Sequence, residues 1–159
     1  MPKNVIIYTD GSCLNNPGPG GWAAIIIDPV TQSRKEISGG YKETTNNRME
    51  MTSIIEALST LDEPCIAKIF SDSEYVCNAF NKGWLASWVK RNWVKSDRKP
   101  VKNVDLWKKM QEKMAKHSVT FHWVKGHAGN PENERCDHLA QSEAQKDSLP
   151  IDTGFKTNS

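Results

Sequence analysis

The sequence contains no long run of apolar residues. A membrane-spanning helix needs about 20 mostly apolar residues in succession, and no stretch of the 159 residues approaches that length. The first residues also lack the apolar region and cleavage site of a secretory signal. We therefore expect a protein that is neither membrane-embedded nor exported. A composition that is 37% hydrophobic and 25% charged fits one soluble globular domain.

Cysteine is scarce, and its spacing does not suggest pairing. The four cysteines are spread along the chain, and no two have the Cys-X-X-Cys spacing. Without an export signal, this pattern predicts free thiols in a reducing compartment and therefore a cytoplasmic protein. The sequence also lacks internal repeats, heptads and an obvious apolar patch, so we expect a monomer.

The charge of the chain is small in total but unevenly distributed. Residues 82–102 carry seven basic side chains and one acidic side chain, a local net charge of +6, whereas the whole chain carries +2. The remainder therefore carries −4. This division favours a polyanion-binding protrusion beside a cation-attracting site. A solvated, charged helix explains the basic segment about equally well.

The order of the predicted elements indicates an α/β protein with a mixed sheet. The predicted strands are 4–12, 21–28, 33–42, 65–72 and 118–125. The predicted helices cover about 46–61, 73–82, 84–92, 103–114 (capped by Asn103) and 130–146. The first three strands favour an antiparallel meander, and the later alternation implies parallel strands. We divide the chain into a domain, 1–147, and a polar tail, 148–159, that has little to anchor it.

Two aspartates occur where predicted strands end. Asp10 follows VIIYT and Asp72 follows IFS, although aspartate is disfavoured within strands. Glu50 lies in the first turns of the helix that begins near Asn46, and Asp137 lies in the last helix. Taken singly, each has an ordinary explanation: a turn residue for Asp10, a helix cap for Asp72, and helix-surface acids for the other two.

Taken together, the four acids predict a metal site. Ligands often bind where the strands of such a sheet end, and four crowded carboxylates are stable as a group only with a counter-charge. Oxygen ligands suit Mg²⁺ or Mn²⁺, which can activate water and stabilise the leaving oxygen of a phosphodiester. The sequence therefore predicts a metal-dependent nuclease, with one or two metal ions, built on Asp10, Glu50, Asp72 and Asp137.

A histidine in the segment WVKGHAGNPENERCD, residues 123–137, is a candidate for proton transfer. His127 follows a strand in a predicted loop, where an imidazole can exchange protons near neutral pH. The ordinary alternative is a solvated loop histidine. A zinc site is a further alternative, although its spacing matches no common pattern; its members would be His122, His127, Cys136 and His138.

Six motifs, in unbroken order, resemble type 1 ribonuclease H, and specifically the bacterial ribonuclease HI group. They are TDGSC (9–13), NNPGPGG (15–21), TTNNRMEM (44–51), SDSEYV (71–76), KPVKNVDLW (99–107) and WVKGHAGNPENERCD (123–137). The resemblance implies the ribonuclease H-like fold, a five-stranded mixed sheet flanked by helices, with a basic protrusion at about 82–102 called the handle. It also implies Mg²⁺-dependent endonucleolytic cleavage of the RNA strand of an RNA–DNA hybrid, giving 5′-phosphate and 3′-hydroxyl ends, with Mn²⁺ as a substitute cation.

The resemblance assigns roles to individual residues. The family's metal-binding carboxylates are matched by Asp10, Glu50, Asp72 and Asp137. His127 matches its loop histidine, which is thought to assist proton transfer or product release. Positions that contact substrate are matched by Cys13, Asn16, Asn46 and Asn47, and a phosphate-binding position for the DNA strand is matched by Thr45.

Within the handle, cationic and aromatic side chains have different expected roles. We expect Lys90, Arg91 and Lys95 to contact phosphate, because their local charge has almost no acidic partner. Trp84 and Trp88 share a helical face. We expect them to pack the handle onto the body, with one indole beside a sugar of the DNA strand.

One residue departs from the resemblance. Glu74, in SDSEYV, stands where a neutral glutamine is familiar in bacterial members. A carboxylate facing the minor groove would repel phosphate or alter base contacts, so a substrate-binding role is not carried over to Glu74.

Two other functions stay open. One is a non-catalytic hybrid-binding module, which the four acids disfavour. The other is a fold relative such as a DNA-strand integrase or junction resolvase, and the segments NNRME and GHAGNPENERCD argue against it.

Overall fold

The computed structural model describes residues 2–126 and 129–155, which form a sheet with helices on both faces. The strands are β1 (Lys3–Cys13), β2 (Gly18–Ile27), β3 (Arg34–Thr44), β4 (Cys65–Ser71) and β5 (Ser118–Trp123). The helices are α1 (Asn46–Ser59), α2 (Glu74–Asn81), α3 (Trp84–Lys90), α4 (Val104–Met114) and α5 (Pro131–Ala144). Within these described ranges, no helix has the length and apolar content needed to cross a bilayer.

The sheet is mixed and five-stranded, as the sequence predicted. Its order is β3-β2-β1-β4-β5, with antiparallel pairing of β1–β2 and β2–β3 and parallel pairing of β1–β4 and β4–β5. The expected meander is therefore confirmed, and β1 lies at the centre. β3 extends two residues beyond its predicted end, because Thr44 still pairs with Gly18 of β2.

The main hydrophobic core lies between one face of the sheet and α1, α2 and α4. Ile7 of β1, Ile69 of β4 and Ile54 of α1 are fully buried there, together with Trp107. Burying one such side chain contributes roughly 1.5–3 kcal/mol. On the opposite face α5 covers β1 and β2, where small residues permit close packing. Helices on both faces leave the ends of the central strands as the place where polar side chains can meet.

The handle packs onto this core through aromatic rings, as expected for Trp88. The Trp88 and Trp107 ring centroids are 5.5 Å apart, and those of Trp84 and Trp88 are 6.5 Å apart. Leu85 of the same helix is buried, whereas Trp84 remains 39% exposed. The inner indole therefore fixes the handle, and the outer one keeps an accessible face.

The polar tail is anchored by a buried ion pair, so the expectation that little holds it is wrong. Arg48 is 1% exposed. Its Nε donates to Asp152 Oδ2 at 2.7 Å, and its Nη1 and Nη2 donate to the two carboxylate oxygens of Asp105 at 2.9 and 2.8 Å. Thr44 Oγ1 also donates to Asp152 Oδ2, at 2.7 Å. Arg48 and Asp152 are 104 residues apart, so no local pattern reveals their pairing.

Asn103 lies at the N-cap position of α4, but its side chain does not cap that helix. Its backbone has φ 62°, in the left-handed region. Its side chain instead accepts a hydrogen bond from Arg48 Nη1 at 3.3 Å and donates one to Tyr75 Oη at 3.4 Å. The predicted position of Asn103 at the start of the helix is therefore confirmed, but its side chain makes no capping bond and instead pairs with the buried guanidinium.

Replacing Asp152 with alanine should lower the free energy of unfolding by about 3 kcal/mol, because it leaves a buried guanidinium short of a charged partner. Urea unfolding monitored by circular dichroism measures the change. The control variant Asp147→Ala removes an exposed acid from the same segment and should leave the urea concentration at the midpoint of unfolding unchanged. Equal midpoints for the two variants would contradict the anchoring role.

Candidate active site

The two aspartates predicted at strand ends lie side by side. β1 and β4 are parallel neighbours, and their last residues in register are Thr9 and Ser71. Asp10 and Asp72 each follow one residue later, on strands that are about 4.8 Å apart. The register of one strand pair therefore places both carboxylates at the same edge of the sheet.

Helix α1 adds a third carboxylate to this pair. Thr45 caps the helix by accepting a hydrogen bond from the Arg48 N–H at 3.2 Å, which fixes where the helix begins. Gly11 permits the close approach of the helix to β1, because a Cβ there would lie 2.4 Å from the Glu50 nitrogen. As a result, Asp10, Glu50 and Asp72 each offer a carboxylate oxygen within 4.8 Å of the others.

The fourth predicted acid lies at the rim of the same site. Asp137 belongs to α5, whose first turn is capped by Asn130, and its Oδ2 accepts a hydrogen bond from Gln141 Nε2 at 2.9 Å. It lines an open cleft with the other three acids, and its charge helps to raise the pKa of Asp10. The acidic cleft, as we name it, is lined by Asp10, Gly11, Ser12, Asn46, Asn47, Glu50, Asp72, Ser73, Glu74, Tyr75 and Asp137.

Burial and mutual repulsion perturb the inner acids. Asp10 is 3% exposed and Glu50 is 8% exposed. Desolvation, followed by the charge of Asp72, raises the pKa of Asp10 to about 8. Desolvation and the charge of Asp10 raise the pKa of Glu50 well above its ordinary value. These shifts indicate a group of acids that is short of positive charge.

The donor set fits a hard divalent cation. Within the described residues, Glu50 Oε2 is buried and has no hydrogen-bond partner, and an unsatisfied buried polar atom is costly. A cation bound between Asp10, Glu50 and Asp72 would give this oxygen a ligand and neutralise the repulsion. Carboxylate oxygens without sulfur or nitrogen ligands favour ions of the Mg²⁺ type.

The last residue of β5 and the residues that follow it hold Asp72 in place, a role that was not among the predictions. Trp123 Nε1 donates to the Asp72 carbonyl at 3.1 Å, and the Val124 N–H donates to the Ser71 carbonyl at 2.9 Å. A Cβ on Gly126 would lie 2.7 Å from Asp72 Oδ2. The signal available in the sequence was the glycine itself, since glycine often marks a point where backbone closely approaches a functional group.

The histidine predictions have different outcomes. His127 lies outside the described residues. Of the described zinc candidates, Cys136 is fully buried and its Sγ donates to the Tyr8 carbonyl at 3.4 Å, while His122 Nε2 pairs with Thr120 Oγ1 at 2.9 Å. Among described side chains, the acids Asp10, Glu50 and Asp72 form the metal-competent group. The zinc alternative therefore has no support in the described part of the chain.

The polar residues predicted to contact substrate gather around the start of α1. Cys13 Sγ donates to the Thr44 carbonyl at 3.3 Å, and Asn16 Oδ1 accepts from the Asn46 N–H at 3.1 Å. Asn46 and Asn47 are exposed and line the acidic cleft. The structure thus brings five of the predicted contact positions to one side of the acids: Cys13, Asn16, Thr45, Asn46 and Asn47.

The handle residues predicted to contact substrate form a second groove. Trp84, Trp88, Arg91 and Lys95 line it with two serines. Lys90 is exposed on α3, and Lys95 Nζ lies 3.9 Å from the Asp97 carboxylate. The predicted site residues therefore divide into two clusters, one acidic and polar and one basic and aromatic.

Solved structures share this fold. The crystal structure of LC9-RNase H1, described as a type 1 RNase H with the type 2 active-site motif, matches with a TM-score of 0.80 and 29% identity over 91% of this chain and 73% of that chain. LC11-RNase H1, solved in complex with an RNA/DNA hybrid, matches with a TM-score of 0.64 and 23% identity over 94% and 98% of the two chains. The architecture is therefore that of the ribonuclease H class of nucleases.

The chain belongs to the ribonuclease H family. The family model named RNase H matches residues 2–145. The chain is 55% identical to the ribonuclease H of Nitratidesulfovibrio vulgaris (strain Miyazaki F) over 154 residues, 97% of each chain. It is 53% identical to that of Pseudoalteromonas atlantica over 97% of this chain and 99% of that one. The predicted enzyme class, ribonuclease H, is confirmed.

Without divalent cations, the protein should lose stability as the pH rises towards 8. The unfolded chain ionises Asp10 near pH 3.8, whereas the folded chain keeps its proton up to about pH 8. Between these values the folded state binds more protons, so its stability falls as pH rises. Asp10→Asn should therefore raise Tm at pH 8 in EDTA by at least about 3 °C, or ~1 kcal/mol.

Scanning calorimetry from pH 5 to 8, in EDTA and in excess Mg²⁺, measures this effect. Asp147→Asn serves as the matched control and should follow the wild-type curve. A wild-type Tm in EDTA that does not change with pH, together with an unchanged Tm for Asp10→Asn, would contradict the conclusion that the acids lack a positive counter-charge.

Proposed function

We propose that this protein hydrolyses the RNA strand of RNA–DNA hybrids endonucleolytically with Mg²⁺ as its cofactor, leaving 5′-phosphate and 3′-hydroxyl ends. The observation that carries the proposal is the group of three carboxylates within 4.8 Å of one another at an open cleft, with one buried oxygen unpartnered. Membership of the ribonuclease H family and the hybrid bound by LC11-RNase H1 support the substrate.

Asp10, Glu50 and Asp72 would hold the cation, and Asp137 would complete the set from the rim. When bound, Mg²⁺ supplies an activated water and stabilises the leaving oxygen; Mn²⁺ is a chemically similar substitute. The protein fixes the acids by strand register, by the start of α1 and by the close passage of Gly126 over Asp72. Such fixed placement keeps the ligands in position without reorganisation during the reaction.

The chemical step is an in-line attack of water on phosphorus. The new bond joins the water oxygen to phosphorus, and the bond that breaks joins phosphorus to the 3′-oxygen, which leaves and takes up a proton. These steps give the proposed 5′-phosphate and 3′-hydroxyl ends. We assign His127 to the proton transfers or to product release, because an imidazole exchanges protons near neutral pH.

Recognition of the RNA strand depends on its 2′-hydroxyls, which distinguish ribose from deoxyribose. The amides of Asn46 and Asn47 both donate and accept hydrogen bonds, and both side chains are exposed in the acidic cleft. Cys13 and Asn16 are linked to the start of α1 by their hydrogen bonds to the backbone at residues 44 and 46, and we assign them to substrate contact as well. We assign Thr45, at the start of α1, to a phosphate of the DNA strand.

Attraction of the polyanion comes from the handle. The handle has a net charge of +6, which offsets the net charge of −4 on the rest of the chain, where the four acids lie. Lys90 and Arg91 are exposed. We assign Lys90, Arg91 and Lys95 to DNA-strand phosphates. Trp88 packs on the body, and the accessible face of Trp84 suits a sugar of the DNA strand.

We further propose that the protein acts as a monomer in the cytoplasm. Its four cysteines are free thiols, three of them buried. This state suits a reducing compartment.

Asp10→Asn should reduce Mg²⁺-dependent cleavage of a hybrid by more than about 1,000-fold, a barrier increase of about 4 kcal/mol, because it removes a ligand oxygen and its charge. End-labelled RNA–DNA, RNA–RNA and DNA–DNA duplexes are incubated with Mg²⁺, Mn²⁺ or EDTA, and circular dichroism checks the fold. Asp147→Asn should retain wild-type activity.

The same assay separates the alternative functions. Wild-type cutting confined to the RNA strand of the hybrid supports the proposal. Binding without cutting would indicate a non-catalytic module, and cutting of DNA duplexes would indicate a resolvase- or integrase-like enzyme. Full activity of Asp10→Asn would overturn the assigned site.

Replacing Lys90, Arg91 and Lys95 together with alanine should raise KM. It should also lower the slope of log KM against log salt concentration by about three, because each lost phosphate contact lowers that slope by about one. The measurement is KM across a salt series, with kcat expected to change little. The matched control replaces three exposed lysines away from both clusters, Lys35, Lys68 and Lys116. An unchanged KM and slope would make the handle cations purely structural.

A further inference from the structure

Trp123, the last residue of β5, exposes its indole at the catalytic edge of the sheet. It pairs in register with Ser71 of β4, the residue before Asp72. Among the phenylalanine, tyrosine and tryptophan side chains that the structure describes, Trp123 and Trp84 are the exposed ones, and Trp123 is 48% exposed. Trp84 belongs to the handle, whereas Trp123 offers its open apolar surface beside the acids.

The polar atom of this indole is already used. Trp123 Nε1 donates to the Asp72 carbonyl at 3.1 Å, and the N–H of the next residue, Val124, donates to the Ser71 carbonyl at 2.9 Å. The indole nitrogen is the one hydrogen-bonding group of the side chain, so the surface that remains accessible is apolar. Because the ring is already held at one edge, it loses less conformational freedom when a ligand packs against it.

The indole lies on the opposite side of the acids from the asparagines. Helix α1, which carries Asn46 and Asn47, packs against β1 and β2, whereas β5 is the edge strand beyond β4. Neighbouring strands are about 4.8 Å apart, and successive nucleotides of one strand are about 3.4 Å apart along a duplex axis. The indole is therefore within about one or two nucleotides of a phosphate that is held at Asp72.

The strand that passes the indole is the one that is cut. The acids act on a phosphate of the RNA strand, so the nucleotides on either side of that phosphate belong to the RNA as well. Aromatic side chains contact nucleotides through their ring faces, and such contacts tolerate any base sequence. An exposed, fixed and apolar ring beside the acids has the chemistry of such a contact.

We propose that the indole of Trp123 packs against a nucleotide of the RNA strand next to the cleaved phosphate. The inference rests on the proposed hybrid cleavage and deepens it, because it adds an apolar contact on the side of the acids away from the asparagines. The base and the ribose both offer an apolar face to the ring. Either contact holds the RNA strand over the acids without reading its sequence.

Three variants separate the contact from the support of Asp72. Trp123→Leu removes the ring and the Nε1 donor. Trp123→Phe keeps an aromatic ring and removes the donor alone. The matched control, Ile66→Ala, shortens a side chain that is 37% exposed at the opposite end of β4, in register with Ser118. Circular dichroism checks that each variant folds.

The measurement is a scan of the RNA strand. Each nucleotide within about three of the cut is replaced singly by a propanediol spacer, which removes base and ribose but keeps the phosphate spacing, and the rate is measured at every phosphodiester. At one position the spacer should slow wild type and Ile66→Ala by at least about 5-fold more than it slows Trp123→Leu, since a stacked nucleotide contributes that much. Trp123→Phe should keep most of the sensitivity at that position.

An abasic ribonucleotide at the same position identifies the contacted group. If the base is contacted, the abasic nucleotide should act like the spacer; if the ribose is contacted, it should slow wild type and Trp123→Leu equally. Both results support the proposal, provided that the spacer effect is present.

Equal sensitivity of wild type and Trp123→Leu to the spacer at every position would overturn the contact. That result, with both Trp123 variants slowed by the same factor on all substrates, would limit Trp123 to its hydrogen bond with Asp72. Failure of wild type to cut any unmodified hybrid would instead overturn the proposed function. The two failures are therefore distinguishable.

Discussion

The parallel pairing of β1 with β4 is the constraint on which the site depends. It places Asp10 and Asp72 at adjacent positions at one edge of the sheet. There the charge of Asp72 disfavours ionisation of Asp10, and both charges disfavour ionisation of Glu50. A flexible chain would relieve this repulsion by moving the acids apart. The hydrogen bonds of the sheet and a core packed on both faces prevent that movement, so the unfavourable charge density is maintained and becomes an attraction for cations.

The placement of these acids could be predicted because it follows from local patterns. An aspartate that ends an apolar strand is visible in the sequence, and the alternation of strands and helices predicts that two such ends meet. Three of the four acids form a compact group, and the fourth lies at the rim. The predicted mixed sheet, the meander and the packing role of Trp88 follow from equally local signals.

The features that could not be predicted depend on contacts between distant parts of the chain. Asn103 has the residue type and position of a helix cap, yet its side chain bonds to Arg48 and Tyr75. The tail is polar in sequence, yet Asp152 pairs with a guanidinium that is almost completely buried. Which segments meet is decided by the tertiary packing of α1 against α4. Gly126 belongs to the same group, because its role becomes visible only when β5 is placed beside Asp72.

The pairing of Arg48 also restricts rotation of α1 about its own axis. Successive residues of a helix are about 100° apart, so Arg48 and Glu50 project in nearly opposite directions from one turn. Turning the helix to withdraw Glu50 from the other acids would pull the guanidinium from both its carboxylate partners, Asp105 and Asp152. The ion pairs on the buried side of α1 therefore set the angle at which Glu50 faces the acidic cleft.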